Sequence, residues 1–272
     1  PELFSLKGKN ALGTNFIVSA QKTWAVDTIR FPNARTGFDI VATENNTQVT
    51  ITPSKPMLGG RLAGQPFTIS LNKGQSFSNQ ALYRNGLNML DGSTITATKL
   101  IAVTAKEDLL FSDGPCADLA GDQLIPVNIW GHEFVIGRGD LFVRDKVVVT
   151  ASEDGTEVFR DGNATPVTTL NKAQSFEFDL RSEVSTYIRT TKKSAVMHYT
   201  GVNCEVSSAV IPKLECTGST KVSVFRSVNE YALLFIVTKN GNQGAFTFNG
   251  VAGVINTGDF TPVPGTGGAY VY

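Results

Sequence analysis

Apolar residues recur along this chain at every second position or in short unbroken runs, and turn residues interrupt them at close intervals. Thr47-Gln48-Val49-Thr50-Ile51-Thr52 alternates with period two, the mark of a strand with one face in a core. Phe38-Asp39-Ile40-Val41-Ala42 and Val147-Val148-Val149 are short apolar runs bounded by turn signals. Asn45-Asn46 and Asp154-Gly155 supply residues that tolerate positive φ in tight hairpin turns. No segment keeps a 3.6-residue period over three turns. The pattern predicts an all-β chain with very little helix.

The strands come in copies. Leu12-Gly13-Thr14-Asn15-Phe16-Ile17-Val18 returns as Trp130-Gly131-His132-Glu133-Phe134-Val135-Ile136. Thr43-Glu44-Asn45-Asn46-Thr47 returns as Ser152-Glu153-Asp154-Gly155-Thr156, and Leu71-Asn72-Lys73-Gly74-Gln75-Ser76-Phe77 as Leu170-Asn171-Lys172-Ala173-Gln174-Ser175-Phe176. Ser93-Thr94-Ile95 matches Ser185-Thr186-Tyr187, and Ile125-Pro126 matches Ile211-Pro212. Blocks that repeat in one order define tandem antiparallel β repeats. The expected boundaries within one β domain over 1–272 are 12–126 for copy one, 130–212 for copy two and 219–272 for a partial copy three. In that third copy Leu234–Gly241 takes the place of the Val147–Gly155 strand and turn. The partial copy, and the strand-like run Ala269-Tyr270-Val271-Tyr272, lead us to expect a longer polypeptide. Splitting each copy into two groups of short strands predicts a β-propeller-like arrangement, with stacked β-sandwiches as the alternative.

Composition narrows the function. The 24 Lys+Arg balance 24 Asp+Glu without long blocks of one sign, so the chain carries no electrostatic footprint for nucleic acid and no polybasic membrane patch. No apolar run approaches the roughly 18 residues of a membrane-spanning helix. Cys116, Cys204 and Cys216 allow at most one internal disulfide. In an oxidising compartment their closeness along the chain favours Cys204–Cys216, leaving Cys116 odd. Three buried thiols in a reducing compartment fit the count equally well.

One stretch carries a resemblance. Gly92-Ser93-Thr94-Ile95 opens a strand that continues through Lys99-Leu100-Ile101-Ala102-Val103. Cys116 follows, then Asp122-Gln123-Leu124-Ile125-Pro126-Val127 and Trp130-Gly131-His132-Glu133-Phe134-Val135. In order and spacing this resembles the family named after the N-terminal domain of IgGFc-binding protein, found in secreted mucin-like animal proteins and bacterial cell-surface proteins. The chain departs from the family pattern at Leu100, where Pro is usual, and between Leu110 and Cys116, where a second Cys is missing. The resemblance implies an extracellular or cell-surface adhesion module with a protein or glycoprotein ligand, and transfers no catalytic residues and no cofactor.

Catalytic chemistry is poorly supplied. His132 and His198 are the two histidines, and His198, in Ala195-Val196-Met197-His198-Tyr199, reads as a hydrogen-bonded structural residue. No nucleophile elbow, zinc-binding helix or phosphate loop occurs. A propeller glycosidase with two inward carboxylates is the enzymatic alternative, and an architectural stalk or assembly domain the non-enzymatic one. Glu153-Asp154-Gly155 and Asp161-Gly162-Asn163 are turn chemistry rather than a calcium loop. Asn45-Asn46-Thr47 and Asn163-Ala164-Thr165 fit the N-glycosylation pattern. Arg138-Gly139-Asp140 is a tripeptide that integrins read when a loop tip presents it. Segments that differ between copies are where contacts are expected, so Trp24, Arg30, Arg35, Arg138 and Asp140 are the candidate ligand-binding residues.

Overall fold

The computed structural model describes residues 7–26, 29, 31–84, 89–112, 116–223 and 233–272. Copy one contributes β1 (Gly13–Ile17), β2 (Ala25–Val26), β3 (Thr36–Ala42), β4 (Thr47–Thr52), β5 (Phe67–Leu71), β6 (Ser76–Gln80), β7 (Thr94–Phe111) and β8 (Ala117–Gln123). Copy two contributes β9 (Gly131–Gly137), β10 (Asp140–Leu141), β11 (Asp145–Ala151), β12 (Thr156–Arg160), β13 (Thr168–Leu170), β14 (Ser175–Leu180), β15 (Ser185–Asn203) and β16 (Glu205–Val210). Helical structure among the described residues is limited to 3-10 turns of three or four residues. The all-β tandem repeat is therefore what forms.

Each copy is one eight-stranded, barrel-like sheet, with the path β5-β4-β7-β3-β6 repeated as β13-β12-β15-β11-β14. The long strand makes this possible. The start of β7 lies between β1 and β4, while its later part lies between β3 and β8. The layers are thus β5-β4-β7-β1 and β6-β3-β7-β8, sharing one strand. The expected division into propeller blades does not occur, because β3 and β4 are consecutive yet pair with different parts of β7 rather than with each other. The arrangement is closer to the sandwich alternative.

Equivalent residues make equivalent bonds. Thr47 faces Leu71 as Thr156 faces Leu170, and Ile40 faces Phe77 as Val149 faces Phe176. Thr47 Oγ1 donates to Glu44 O at 2.8 Å, and Thr156 Oγ1 to Glu153 O at 2.7 Å. Lys73 N donates to Asn45 Oδ1 and Lys172 N to Asp154 Oδ1. One sequence match slips: pairing aligns Ile95 with Ile188, since they face Phe16 and Phe134, so the match to Tyr187 was one residue short.

The two copies share a core. Phe16, Phe38, Ile40 and Ile51 of copy one join Val148, Met197, Tyr199 and Val206 of copy two in one cluster. Copy two also has its own interior, containing Phe134, Val147, Val149, Ile188 and Val196. Val147 and Val149 point inward and Val148 points to the seam, which is why the whole of β11 is buried and its apolar run is unbroken. The described part of 219–272 holds β17 (Thr238–Lys239), β18 (Thr247–Phe248), β19 (Val251–Ala252) and β20 (Tyr270–Val271). It packs on copy two through Phe235, Val263, Tyr270 and Tyr272 against Val135 and Tyr187.

Candidate binding surface

The hairpins β7–β8 and β15–β16 lie side by side, held by Val206 N donating to Asp118 Oδ2 at 3.0 Å and Val210 N to Asp122 Oδ2 at 2.7 Å. Their tips are joined by a disulfide, Cys116–Cys204, with Cα atoms 5.4 Å apart. This corrects the expected Cys204–Cys216 pair. After Cys204 the chain runs extended as β16, and six residues of strand carry it roughly 20 Å away. Cys216 is left free and exposed. Cys116 and Cys204 hold equivalent places in the two copies, so the bridge records that equivalent hairpin tips meet. Glu205 brings a carboxylate oxygen within 4.8 Å of both sulfurs, but a disulfide leaves no thiolate for a metal.

Exposed apolar side chains gather around this bridge. Phe142, 66% exposed, and Val143, 40% exposed, follow β10, and Phe142 N donates to Asn203 O beside Cys204. Phe111 and Leu119 flank Cys116 on the other hairpin and are also exposed. Phe31, between β2 and β3, is also exposed. Small clusters of this kind at one end of a molecule are characteristic of contact surfaces.

The candidate residues fall in several places. Arg30 lies outside the described residues. Trp24 is 2% exposed and packs edge-on against Tyr199 with ring centroids 6.2 Å apart, under the Lys146 ammonium at 4.9 Å. It is a core residue and not a contact residue, because its connection turns inward to fill the seam. Arg35 is half-buried and donates to Ala81 O and Leu82 O, bracing the turn after β6. Arg138 is half-buried, with Nη2 3.5 Å from Leu141 O. Gly139 N donates to Asp145 Oδ2 at 2.6 Å, and a Cβ on Gly139 would stand 2.0 Å from Thr200 Oγ1. Asp140 is exposed but lies in β10, paired in parallel with β15. The tripeptide is therefore held flat against the sheet rather than offered at a loop tip. His198 Nε2 sits 2.9 Å from Asp145 Oδ2, which also accepts from Thr200 Oγ1 at 2.7 Å, the hydrogen-bonded role its strand suggested.

A second constellation was not anticipated. Ser19–Trp24 crosses from copy one onto copy two, where Thr150 Oγ1 donates to Ser19 Oγ at 2.8 Å and Lys22 N donates to Glu177 Oε2 at 2.6 Å. Glu107, 2% exposed, accepts from Tyr199 Oη at 2.7 Å and from Gln21 Nε2 at 3.0 Å. Burial pushes the Glu107 carboxyl up to about 7, against the hydrogen bonds from Tyr199 and Gln21. Asp91 accepts from Ala20 N at 3.1 Å and from Ser175 Oγ across the seam, and burial raises it to about 6. The sequence did carry a signal for Glu107. Ile101, Val103, Ala105 and Glu107 occupy alternate positions of β7, so the acid stands at an inward position of an apolar strand. The seam holds a water-sized void of about 10 Å³, lined by Ile17, Trp130 and Met197, and a shallow depression lies beside Leu58 and Asn79.

Residues 4–272 match the family model described as IgGFc binding protein, and the chain belongs to that family. No curated protein and no solved structure matches it. No helix among the described residues is long and apolar enough to cross a membrane.

Proposed function

We propose that this member of the IgGFc-binding family is an extracellular recognition module that captures a protein or glycoprotein partner at its disulfide-clamped end. One observation carries the reading: Phe111, Leu119, Phe142 and Val143 are exposed around Cys116–Cys204, on hairpin tips fixed by that bridge. Aromatic anchors on a preorganised frame bind well because little side-chain or loop entropy is lost. Arg138 and Asp140 border the same end and supply a polar rim. A disulfide between the copies fits an oxidising compartment. The role is binding rather than catalysis, since Glu107 is enclosed in the seam and His198 is committed to Asp145.

Immobilised immunoglobulin Fc, mucin glycoproteins and a glycan panel test the reading. The chain should bind at least one of them, and Phe142→Ala with Val143→Ala should weaken that binding by at least about tenfold, as loss of a central anchor does. Lys73→Ala, at the turn between β5 and β6, should leave binding unchanged. Equal binding by the Phe142/Val143 variant with an unaltered melting temperature would place the site elsewhere.

A further inference from the structure

Between β9 and β11 the chain runs as a strap, residues 138–144, which carries Phe142 and Val143. Its ladder is the two-residue strand β10, paired in parallel with Val202 and Asn203 of β15. So short a parallel ladder holds little by itself, and the strap is fixed by pins along its length. Arg138 N donates to Val184 O at 2.9 Å where the strap begins. Leu141 is buried in the cluster that holds Tyr199 and Val206, in space that Gly201 leaves open, since a Cβ on Gly201 would crowd Leu141. Phe142 N donates to Asn203 O at 2.7 Å, next to the Cys116–Cys204 bridge.

The remaining pin is Asp145, which is fully buried. Its Oδ2 accepts from Gly139 N of the strap at 2.6 Å and from Thr200 Oγ1 of β15 at 2.7 Å, and lies 2.9 Å from His198 Nε2, also on β15. One carboxylate oxygen thus ties the strap to the strand beneath it. Gly139 has to come close for this, because a Cβ there would collide with Thr200 Oγ1. The shared framework does not need the device. Pairing puts Thr36, Ala105 and Glu107 of copy one where copy two has Asp145, His198 and Thr200, and copy one builds the same sheet around them. What copy two has at this place, and copy one lacks, is the strap.

We propose that Asp145 is the positioning residue of the recognition surface, holding the strap seated so that Phe142 and Val143 stand ready at the disulfide-clamped end. What those two side chains do rests on the proposed recognition function; how they are held rests on the strap's own hydrogen bonds. A seated strap has already lost the freedom that binding would otherwise remove. A strap seated in only a fraction of molecules lowers the apparent affinity by that fraction. Asp145 therefore acts on the partner without touching it.

Asp145→Asn keeps the shape of the side chain and replaces one carboxylate oxygen with a donor. Amide hydrogen exchange on the disulfide-intact chain reads the strap without any ligand. Phe142 is the reporter, because its amide bonds to Asn203 and not to Asp145, and in the variant it should exchange close to the unprotected rate. Binding to whichever of immunoglobulin Fc, mucin or glycan the wild type captures should weaken at least about fivefold, the loss expected when the strap is seated in a fifth of molecules. Since Asp145 acts through Phe142 and Val143, adding Asp145→Asn to Phe142→Ala with Val143→Ala should cost no further affinity, whereas a general loosening of the fold would add its own loss. Unchanged protection of Phe142, or additive losses, overturns the proposal. Failure of the recognition function shows separately, as normal binding by the Phe142/Val143 variant. Should Asp145→Asn not fold, Gly139→Ala asks the same question with Asp145 intact, since its methyl collides with Thr200. The same two losses are expected, and wild-type protection of Phe142 overturns the proposal.

Discussion

The two copies share a framework and differ on one outer face. In copy one that face is polar: Asp39 and Lys106 form an ion pair at 2.8 Å, and Lys106 also donates to Ser78 Oγ. Pairing places Val148 where copy one has Asp39, Met197 where it has Thr104, and Tyr199 where it has Lys106. In copy two these residues are buried against copy one. Copy two thus docks by a face that copy one keeps hydrated. The contact is head-to-tail: the face that copy two buries has its polar counterpart exposed to solvent in copy one. The connections after the first strand of each copy complete the asymmetry. Val18–Arg35 sends Trp24 and Gln21 into the seam, while Arg138–Arg144 folds back on its own Asp145.

Breaking the seam should have the largest effect. Trp24→Ala removes a ring enclosed by Tyr199 and Lys146, and should cost about 3–5 kcal/mol in denaturant unfolding, typical of a large buried aromatic. A loss of under about 1 kcal/mol would mean that the connection is peripheral to the assembly. Next comes the bridge. Cys116→Ser opens a link between residues 88 apart in sequence and should cost roughly 2–4 kcal/mol. A non-reduced digest should yield a Cys116–Cys204 peptide, with Cys216 alkylated.

The difference between the outer faces can be sharpened by erasing it. Asp39→Val with Lys106→Tyr gives copy one the docking chemistry of copy two. The variant should shift toward larger species in size-exclusion chromatography, with a change in stability within about 1 kcal/mol. A strictly unchanged elution would show that apolar character alone does not direct docking. The smallest effects test the likeness instead. Thr47→Ala and Thr156→Ala each remove a hydroxyl bond to a turn carbonyl and should each cost about 1 kcal/mol, equal to within about half of that.

Some of the candidate site was legible and some was not. Cys116 was visible as a residue, yet its partner was not, because closeness along the chain paired Cys204 with Cys216 and left Cys116 odd, and only the side-by-side hairpins bring Cys204 to Cys116. Trp24 was read from its irregular segment as a possible contact. Irregularity there reflects a connection shaped to fill a gap, which has no periodic signature. Phe142 and Val143 sit in the same segment as Arg138 and Asp140, and the difference between copies marks that segment without marking which of its side chains are exposed.

Local chemistry was sufficient for the strands, the turns and the duplication. Alternation at Thr47–Thr52 needs only a buried face and a wet one, and Asn45 or Asp154 builds its corner from bonds to residues close by in space and conserved in both copies of the chain. The unbroken run Val147–Val149 marked a strand, and the structure buries that strand on both sides. What covers the second side is a different kind of fact. The path through β7, the bridge from Cys116 to Cys204 and the meeting of Glu107 with Tyr199 join residues that no periodicity relates. Their pairing depends on how two complete sheets fit together, and that was decided only when the side chains of both copies competed for the same seam.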